Sequence, residues 1–193
     1  KAEFLSQSSE KIHQMAEGEA IREGVVTVGR DATLFYAPLP VLPFADSAFR
    51  SAFTIELADE TSRLFYSDIL ACGRAARGER FAYRLYRSRV RIKSGGNLIY
   101  ADNFRFAPQE DDVDCEGFTQ YEGYTHLGNY LLCHFPVSEE ALRDYLHATV
   151  AEHDCQAGLT CFGEGNLCVK ILANGSELLL TVQEALKDFL RHL

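Results

Sequence analysis

No tryptophan, a single methionine and no apolar run of membrane length occur in this chain. A helical membrane span needs about 18 consecutive apolar residues, and the richest stretch, residues 175–182, is far shorter. A cationic excess is missing too. The formal charge is −9 at pH 7, which argues against nucleic-acid binding, since that normally requires a basic face. No Cys-x-x-Cys or His-x-x-x-His pair is present, so a closed structural zinc site is not expected. Walker-type and Gly-x-Gly-x-x-Gly loops are absent, as is Gly-x-Ser-x-Gly, which removes the commonest signatures of nucleotide binding and of a serine hydrolase. The opening residues do not read as a secretory signal.

What is present describes one soluble domain. A length of 193 residues with 47% hydrophobic and 24% charged residues supports a real core. The six cysteines (Cys72, Cys115, Cys133, Cys155, Cys161, Cys168) are irregularly spaced. A chain this long needs no covalent staples, so they read as reduced thiols of a cytoplasmic protein. Thirteen Phe and nine Tyr in a chain without Trp could leave apolar patches that need a partner to cover them.

Strand signals dominate. Residues 3–13 read as a strand running into a polar turn. Val25–Val28 is β-branched, Leu34–Tyr36 follows, and Pro38, Pro40 and Pro43 forbid a helix after it. Phe49 to Leu57 alternates with period two, and Arg63 to Cys72 is a further strand carrying Asp68 among apolar neighbours. In Phe81 to Lys93 the apolar parity switches near Leu85 and Tyr86, which predicts a bulge or bend there. Arg87, Arg89, Arg91 and Lys93 form a basic ladder on its other face. Residues 94–97 read as a hairpin turn, 97–106 as its returning strand with Leu98, Tyr100, Phe104 and Phe106 on one apolar side, and 108–116 as an acidic loop. Two helices come late. Ser138 is an expected N-cap for the stripe Ala141, Leu142, Tyr145, Leu146, Thr149, Val150. Thr181 to Glu184 has capping-box spacing ahead of Val182, Ala185, Leu186, Phe189, Leu190 and Leu193. No internal repeat is visible.

Three features could carry chemistry. The first is Gly73-Arg74-Ala75-Ala76-Arg77-Gly78-Glu79-Arg80-Phe81, in which Arg74, Arg77 and Arg80 suit bidentate capture of carboxylates. A solvated loop or an internal salt-bridge clamp explains it without a ligand. The second is a set of acids on or beside apolar strands: Asp46, Asp68, Glu79 and Asp102. Each could cap a turn or pair with an arginine; together they could border a polar passage used by a divalent cation such as nickel. The third is the histidines. Cys133 and His134 are adjacent, so on a strand they point to opposite faces, and His147 and His153 do not share a helix face well. An enzyme with His126 or His134 and a nearby acid is the alternative function, without any supporting spacing.

Several segments together resemble one family. These are Leu5-Ser6-Gln7-Ser8-Ser9-Glu10-Lys11-Ile12, Pro38-Leu39-Pro40-Val41-Leu42-Pro43-Phe44, the arginine stretch, Tyr124-Thr125-His126-Leu127-Gly128 and Val169-Lys170-Ile171-Leu172. They span the chain in the order found in the urease accessory proteins called UreD or UreH. Departures are small: Leu5-Ser6-Gln7 replaces the usual Thr-Thr-Gln, His13 a tyrosine, Ser51 a glutamine and Asp68 a glutamate. The resemblance implies a β-helix-like stack of strands with two helices towards the C-terminus, forming one domain over 1–193, with the family's opening strands expected before Lys1. It also implies a non-enzymatic maturation factor with no tightly bound cofactor. Such a factor binds a UreF-type helical protein, recruits a UreG-type GTPase to apo-urease as a hetero-oligomer, and passes nickel through an internal tunnel. On this view Asp68, Glu79 and Asp102 would be the transient nickel contacts, and Arg74, Arg77 and Arg80 the clamp or docking surface.

Overall fold

The protein's structure, a computed structural model, describes residues 1–110 and 121–193. Part of the expected acidic loop and Cys115 lie outside them. The chain is mainly β, with two helices towards the C-terminus. In the first half it winds as a β-helix. Strands β1 (Ala2–Phe4), β2 (Glu10–Ile12) and β3 (Ala20–Val28) make one coil. Strands β4 (Thr33–Tyr36), β5 (Val41–Pro43) and β6 (Ala48–Leu57) make the next. The third coil merges the first two positions into one long strand, β7 (Arg63–Ala71), and ends with β8 (Leu85–Ser94). The registers fix this: Ala2 pairs in parallel with Leu34 and Leu34 with Leu64, while Ala20 pairs with Phe49 and Phe49 with Tyr86. Val41 of β5 meets Leu70 further along the same β7. The coils repeat in space although the sequence does not.

The second half widens both layers with antiparallel strands. Strand β9 (Asn97–Phe106) returns from β8 through the expected hairpin and closes the four-stranded sheet β3-β6-β8-β9. Strands β10 (His126–Cys133), β11 (Cys155–Phe162) and β12 (Asn166–Ala173) extend the larger sheet in the order β1-β4-β7-β10-β12-β11. Helices α1 (Glu139–Val150) and α2 (Ser176–Arg191) cover its outer face. The side chain of Ser138 accepts from Ala141 N at 3.1 Å, as expected of an N-cap. The Tyr130 hydroxyl donates to the Leu179 carbonyl at 2.7 Å, and the Ser67 hydroxyl donates to Gln183. Lys187 is buried on α2, where Glu3 of β1 and Glu184 hold it at 2.6 and 2.7 Å. The last helix is thereby tied to the first strand.

Strand periodicity sorts the core into three apolar clusters. Phe65, Ile69, Tyr130, Leu132 and Val169 face the helices together with Leu142, Leu146, Leu179 and Leu186. The opposite parity of the same sheet faces the second sheet in two separate groups. One contains Leu64, Tyr66, Leu131, Phe53, Ile55 and Ile92, the other Leu70, Phe49, Tyr83, Tyr86 and Phe106. Burying side chains of this size supplies about 1.5–3 kcal/mol each.

Four expectations need correction. The segment Phe81 to Lys93 is not one strand: β8 begins at Leu85, and Phe81 takes a left-handed φ of 52°. The parity switch therefore marks the end of a loop, and the register irregularity lies instead at Ile92/Lys93 against β9. Thr181 does not open a helix; it sits inside α2, where its hydroxyl donates to the Glu177 carbonyl at 3.0 Å. Leu98 is exposed and does not share the buried side of Tyr100, Phe104 and Phe106. The aromatic content is not what leaves apolar surface: among the described Phe and Tyr residues only Phe4 is exposed, most of the others packing into the three clusters, whereas Leu5, Ile21, Val25 and Leu98 are exposed aliphatics. No helix of the described residues is long and apolar enough to cross a membrane.

The crossover from β7 to β8 depends on Gly73. Its φ is 129°, and a Cβ there would stand 2.7 Å from the Glu79 carbonyl oxygen. Gly158, on edge strand β11, has open space around it. Gly73→Ala is expected to lower stability by more than about 1 kcal/mol, and Gly158→Ala to lower it not at all. Urea unfolding of the two variants checks this.

Candidate functional site

The arginine stretch forms a closed loop. Phe81 N donates to the Cys72 carbonyl at 2.7 Å and Gly78, at φ 75°, ends a short 3-10 turn over Ala75–Arg77. Arg74 and Glu79 form the clamp. Arg74 Nε donates to Glu79 Oε2 at 2.7 Å and its Nη2 to Oε1, while Ala45 N donates to the same carboxylate at 3.2 Å. The guanidinium stacks 4.1 Å from the Phe44 ring centre. The hydrogen bond from Arg74 is the main cause holding the Glu79 carboxyl below its ordinary range. Arg77 and Arg80 are exposed on the same loop. Asp46 is a turn brace: at φ 58° it accepts from Gln14 and from Gln109, each at 3.2 Å.

Asp68 and Asp102 lie elsewhere, and they come together. Asp68 stands at an inward position of β7, level with Asn129 of β10, which is level with Lys170 of β12. Across the interior, Arg22 of β3, Ser51 of β6 and Ser88 of β8 form a matching row in the smaller sheet. Asp102 of β9 pairs in register with Val90 beside Ser88. Two polar rows thus face one another between the two inter-sheet apolar clusters. We call this layer the polar seam. At one end Arg22 donates to Glu10 and to the Ser51 hydroxyl at 3.2 Å, with its guanidinium 5.4 Å from the Phe49 ring centre. At the other, Lys170 Nζ lies 3.7 Å from Asp102 Oδ2.

A cavity of about 30 Å³ sits in the seam, with Asp68, Tyr86, Ser88, Asp102, Asn129 and Lys170 among its walls. The Tyr86 hydroxyl is buried there and has no hydrogen-bond partner among the described residues. An orphaned phenol beside a water-sized space is the usual mark of a site that takes water or another small polar species. Burial raises the Asp68 carboxyl above its ordinary range; Arg22 opposes the shift, while Asp102 and Glu10 add to it. Tyr100, in hydrogen-bond reach of Asn129 and Asp102, is pushed upwards, first by burial. Among the described residues, no three His, Cys, Asp or Glu side chains converge as a metal-holding group.

The structure therefore separates the predicted acids. Asp68 and Asp102 line one cavity, Glu79 belongs to the clamp, and Asp46 to a turn. Arg22, Ser51, Ser88, Asn129 and Lys170 went unnoticed as site residues in the sequence. Two of them left a signal there: Ser51 and Ser88 occupy buried phases of β6 and β8 where every flanking partner is apolar.

The two candidate histidines, His126 and His134, have structural partners. His126 Nδ1 accepts from Gly175 N at 3.1 Å, at the entry to α2, and burial lowers its pKa to about 4. His134 follows β10 at φ 60°, and its Nδ1 lies 2.8 Å from the Ser62 carbonyl. It is not on the strand, so the opposite-face argument for Cys133 and His134 does not describe their actual separation. His126 Nδ1 also lies 2.8 Å from the Thr125 hydroxyl, and among the described residues neither imidazole is hydrogen-bonded to a carboxylate.

Fold and site define a class first: a two-sheet β protein, wound as a helix of strands, with acids and bases crossing its core in one layer. The chain belongs to the UreD family of urease accessory proteins, whose family model matches residues 1–193. It is 33% identical to the urease accessory protein UreH of Helicobacter pylori strain P12, covering 98% of this chain and 69% of that protein. It is 35% identical to the urease accessory protein UreD of Acetivibrio thermocellus, covering 98% of this chain and 71% of that protein.

Two acid-dependent effects of opposite sign follow. A carboxyl raised in the fold prefers its proton there, so ionised Asp68 costs stability above its folded-state pKa and nothing below the ordinary range. Asp68→Asn should raise the urea midpoint at pH 7, with the gain vanishing below about pH 4. Glu79 is the reverse case. Its lowered pKa contributes stability that is complete above the ordinary carboxylate range and is lost as pH falls through the lowered value. Glu79→Gln should therefore destabilise at neutral pH and flatten the acid limb of the stability profile.

Proposed function

We propose that this protein is a non-enzymatic, cytoplasmic maturation factor that binds a UreF-type helical partner, helps bring a UreG-type GTPase to apo-urease, and conducts nickel along the polar seam. Nickel is the cargo, not a resident cofactor. The observation that carries the reading is the seam itself: two acids and an orphaned phenol on one cavity between two apolar clusters, in a member of the urease accessory family. Such a layer is costly, because polar groups there replace apolar packing. Structural duty accounts for Arg22, Glu10 and Ser51, which bond one another. It does not account for Asp68 or the Tyr86 hydroxyl.

The chemistry fits transit. Divalent nickel sits high in the affinity order, so a site rich in imidazole or thiolate would retain it. Carboxylates, a phenol, a serine and an amide offer weaker, exchangeable contacts with water filling the remaining positions. Movement past them needs local opening, for which the seam's water-sized cavity and displaceable Lys170 end leave room. The arginine loop, exposed at Arg77 and Arg80 and locked at Arg74 and Glu79, serves as a rigid docking feature. Glu79 stays a candidate nickel contact only where a docked partner would release it from Arg74.

The Asp68→Asn/Asp102→Asn double variant tests the reading in cells grown on limiting nickel. Urease activity should fall at least about tenfold, a loss of roughly 1.4 kcal/mol or more of nickel delivery, while co-purification with the UreF-type partner persists. Unchanged activation would remove the seam from nickel delivery; loss of co-purification would make it a structural layer instead.

A further inference from the structure

The two ends of the seam are not equivalent. Arg22 is fixed: its guanidinium bonds Glu10 and Ser51 through all three nitrogens and lies over Phe49. Lys170 is loose by comparison. Its ammonium is 3.7 Å from Asp102, too far for a tight hydrogen bond, and its side chain is 51% exposed. It rises from the inward phase of β12, on the same row as Asn129 and Asp68. It lines the cavity that holds Asp68, Asp102 and the buried, unpartnered Tyr86 hydroxyl. A flexible cation at the mouth of an acid-lined cavity has two effects on a divalent cation. It repels the ion and it competes for the same carboxylate.

We propose that Lys170 is a displaceable counter-ion that guards the Asp102 end of the seam and keeps its acids from trapping a divalent cation. The inference rests on the conduit reading and deepens it by naming what controls entry. With no cation in the seam, Lys170 neutralises Asp102, and Arg22 partly offsets Asp68. A divalent ion entering there displaces the ammonium, which swings into solvent on its four-carbon stem. When the ion leaves, Lys170 returns. The exchange costs affinity by design of the layout: an acid pair already compensated by a lysine binds more weakly than a bare one. Arg22, with each guanidinium nitrogen already bonded, is held more firmly than Lys170, so the proposal assigns the movable gate to the Lys170 end.

The test uses nickel(II) alone, titrated into the purified chain against a chromophoric chelator. Removing one positive charge at this distance from a carboxylate only about a third exposed should tighten binding about tenfold in Lys170→Met and Lys170→Gln. Lys170→Arg keeps the charge and should bind as the unaltered protein does. The gain should also disappear in Lys170→Met/Asp102→Asn, which ties it to this carboxylate rather than to surface acids. Since Lys170 is half exposed, the variants are expected to keep the far-ultraviolet circular dichroism of the parent; two neutral replacements guard against one folding poorly. Equal nickel affinity in both neutral variants and the parent overturns the gate, as does a gain that survives removal of Asp102. The outcome separates from that of the conduit. If Asp68→Asn/Asp102→Asn abolishes urease activation while the Lys170 variants bind nickel unchanged, the conduit stands and the gate falls. If activation survives the double asparagine variant, the conduit falls and takes with it the role assigned to the gate.

Discussion

The constraint on which the rest of the structure depends is the pairing of charge inside a two-sheet core. A β-helix buries one face of every strand, and a polar residue at a buried phase must find a partner on the opposing sheet or leave an uncompensated group. Here the winding solves this by registration. Three coils stacked in parallel bring Arg22, Ser51 and Ser88 level with one another. The antiparallel strands added afterwards bring Asn129 and Lys170 level with Asp68. Polar residues far apart in sequence fall into two facing rows, and the apolar residues on either side become separate clusters. A slip of one residue in any of these strands would turn its polar member outward and its neighbours inward.

The same registration divides labour among the charged residues. Those in the arginine loop are spent on shape. Arg74, Glu79, the Ala45 amide and the Phe44 ring hold the crossover by which the chain leaves the large sheet for the small one, and Gly73 lets the backbone pass close to residue 79. Those in the seam are placed without such closure. The Asp68 carboxyl is raised by burial, and the Tyr86 hydroxyl goes unbonded among the described residues. Stability favours the removal of both features, so their presence points to use. This is the physical content behind reading the protein as a conduit rather than as a scaffold only.

Much of the fold was legible in residue order. The alternation of Phe49 to Leu57 and the run from Arg63 gave strands at nearly the observed bounds, and the hairpin at Ser94 to Asn97 followed from its glycines. Ser138 announced its helix. The errors have local causes. Phe81 to Arg84 carries strand-like residues but leaves the sheet, because the loop that precedes it closes on Cys72 through the Phe81 amide. Thr181 mimics a cap inside α2, because a hydroxyl mid-helix can bond the carbonyl one turn back. The aromatic excess suggested exposed patches, yet two sheets and two helices offer three interiors to fill.

Sequence by itself determined the family, the strand-rich character and the identity of Asp68 and Asp102 as acids in apolar company. It also determined the arginine loop as a unit, since the Arg74–Glu79 pair at its centre is local. Only the tertiary structure decided that Asp68 and Asp102 share a cavity from which Glu79 is absent, and that Lys170 stands at its mouth. The reason is range. A clamp five residues wide can be inferred from spacing, whereas Asp68 meets Asn129 and Lys170 through strand registers that no local pattern encodes.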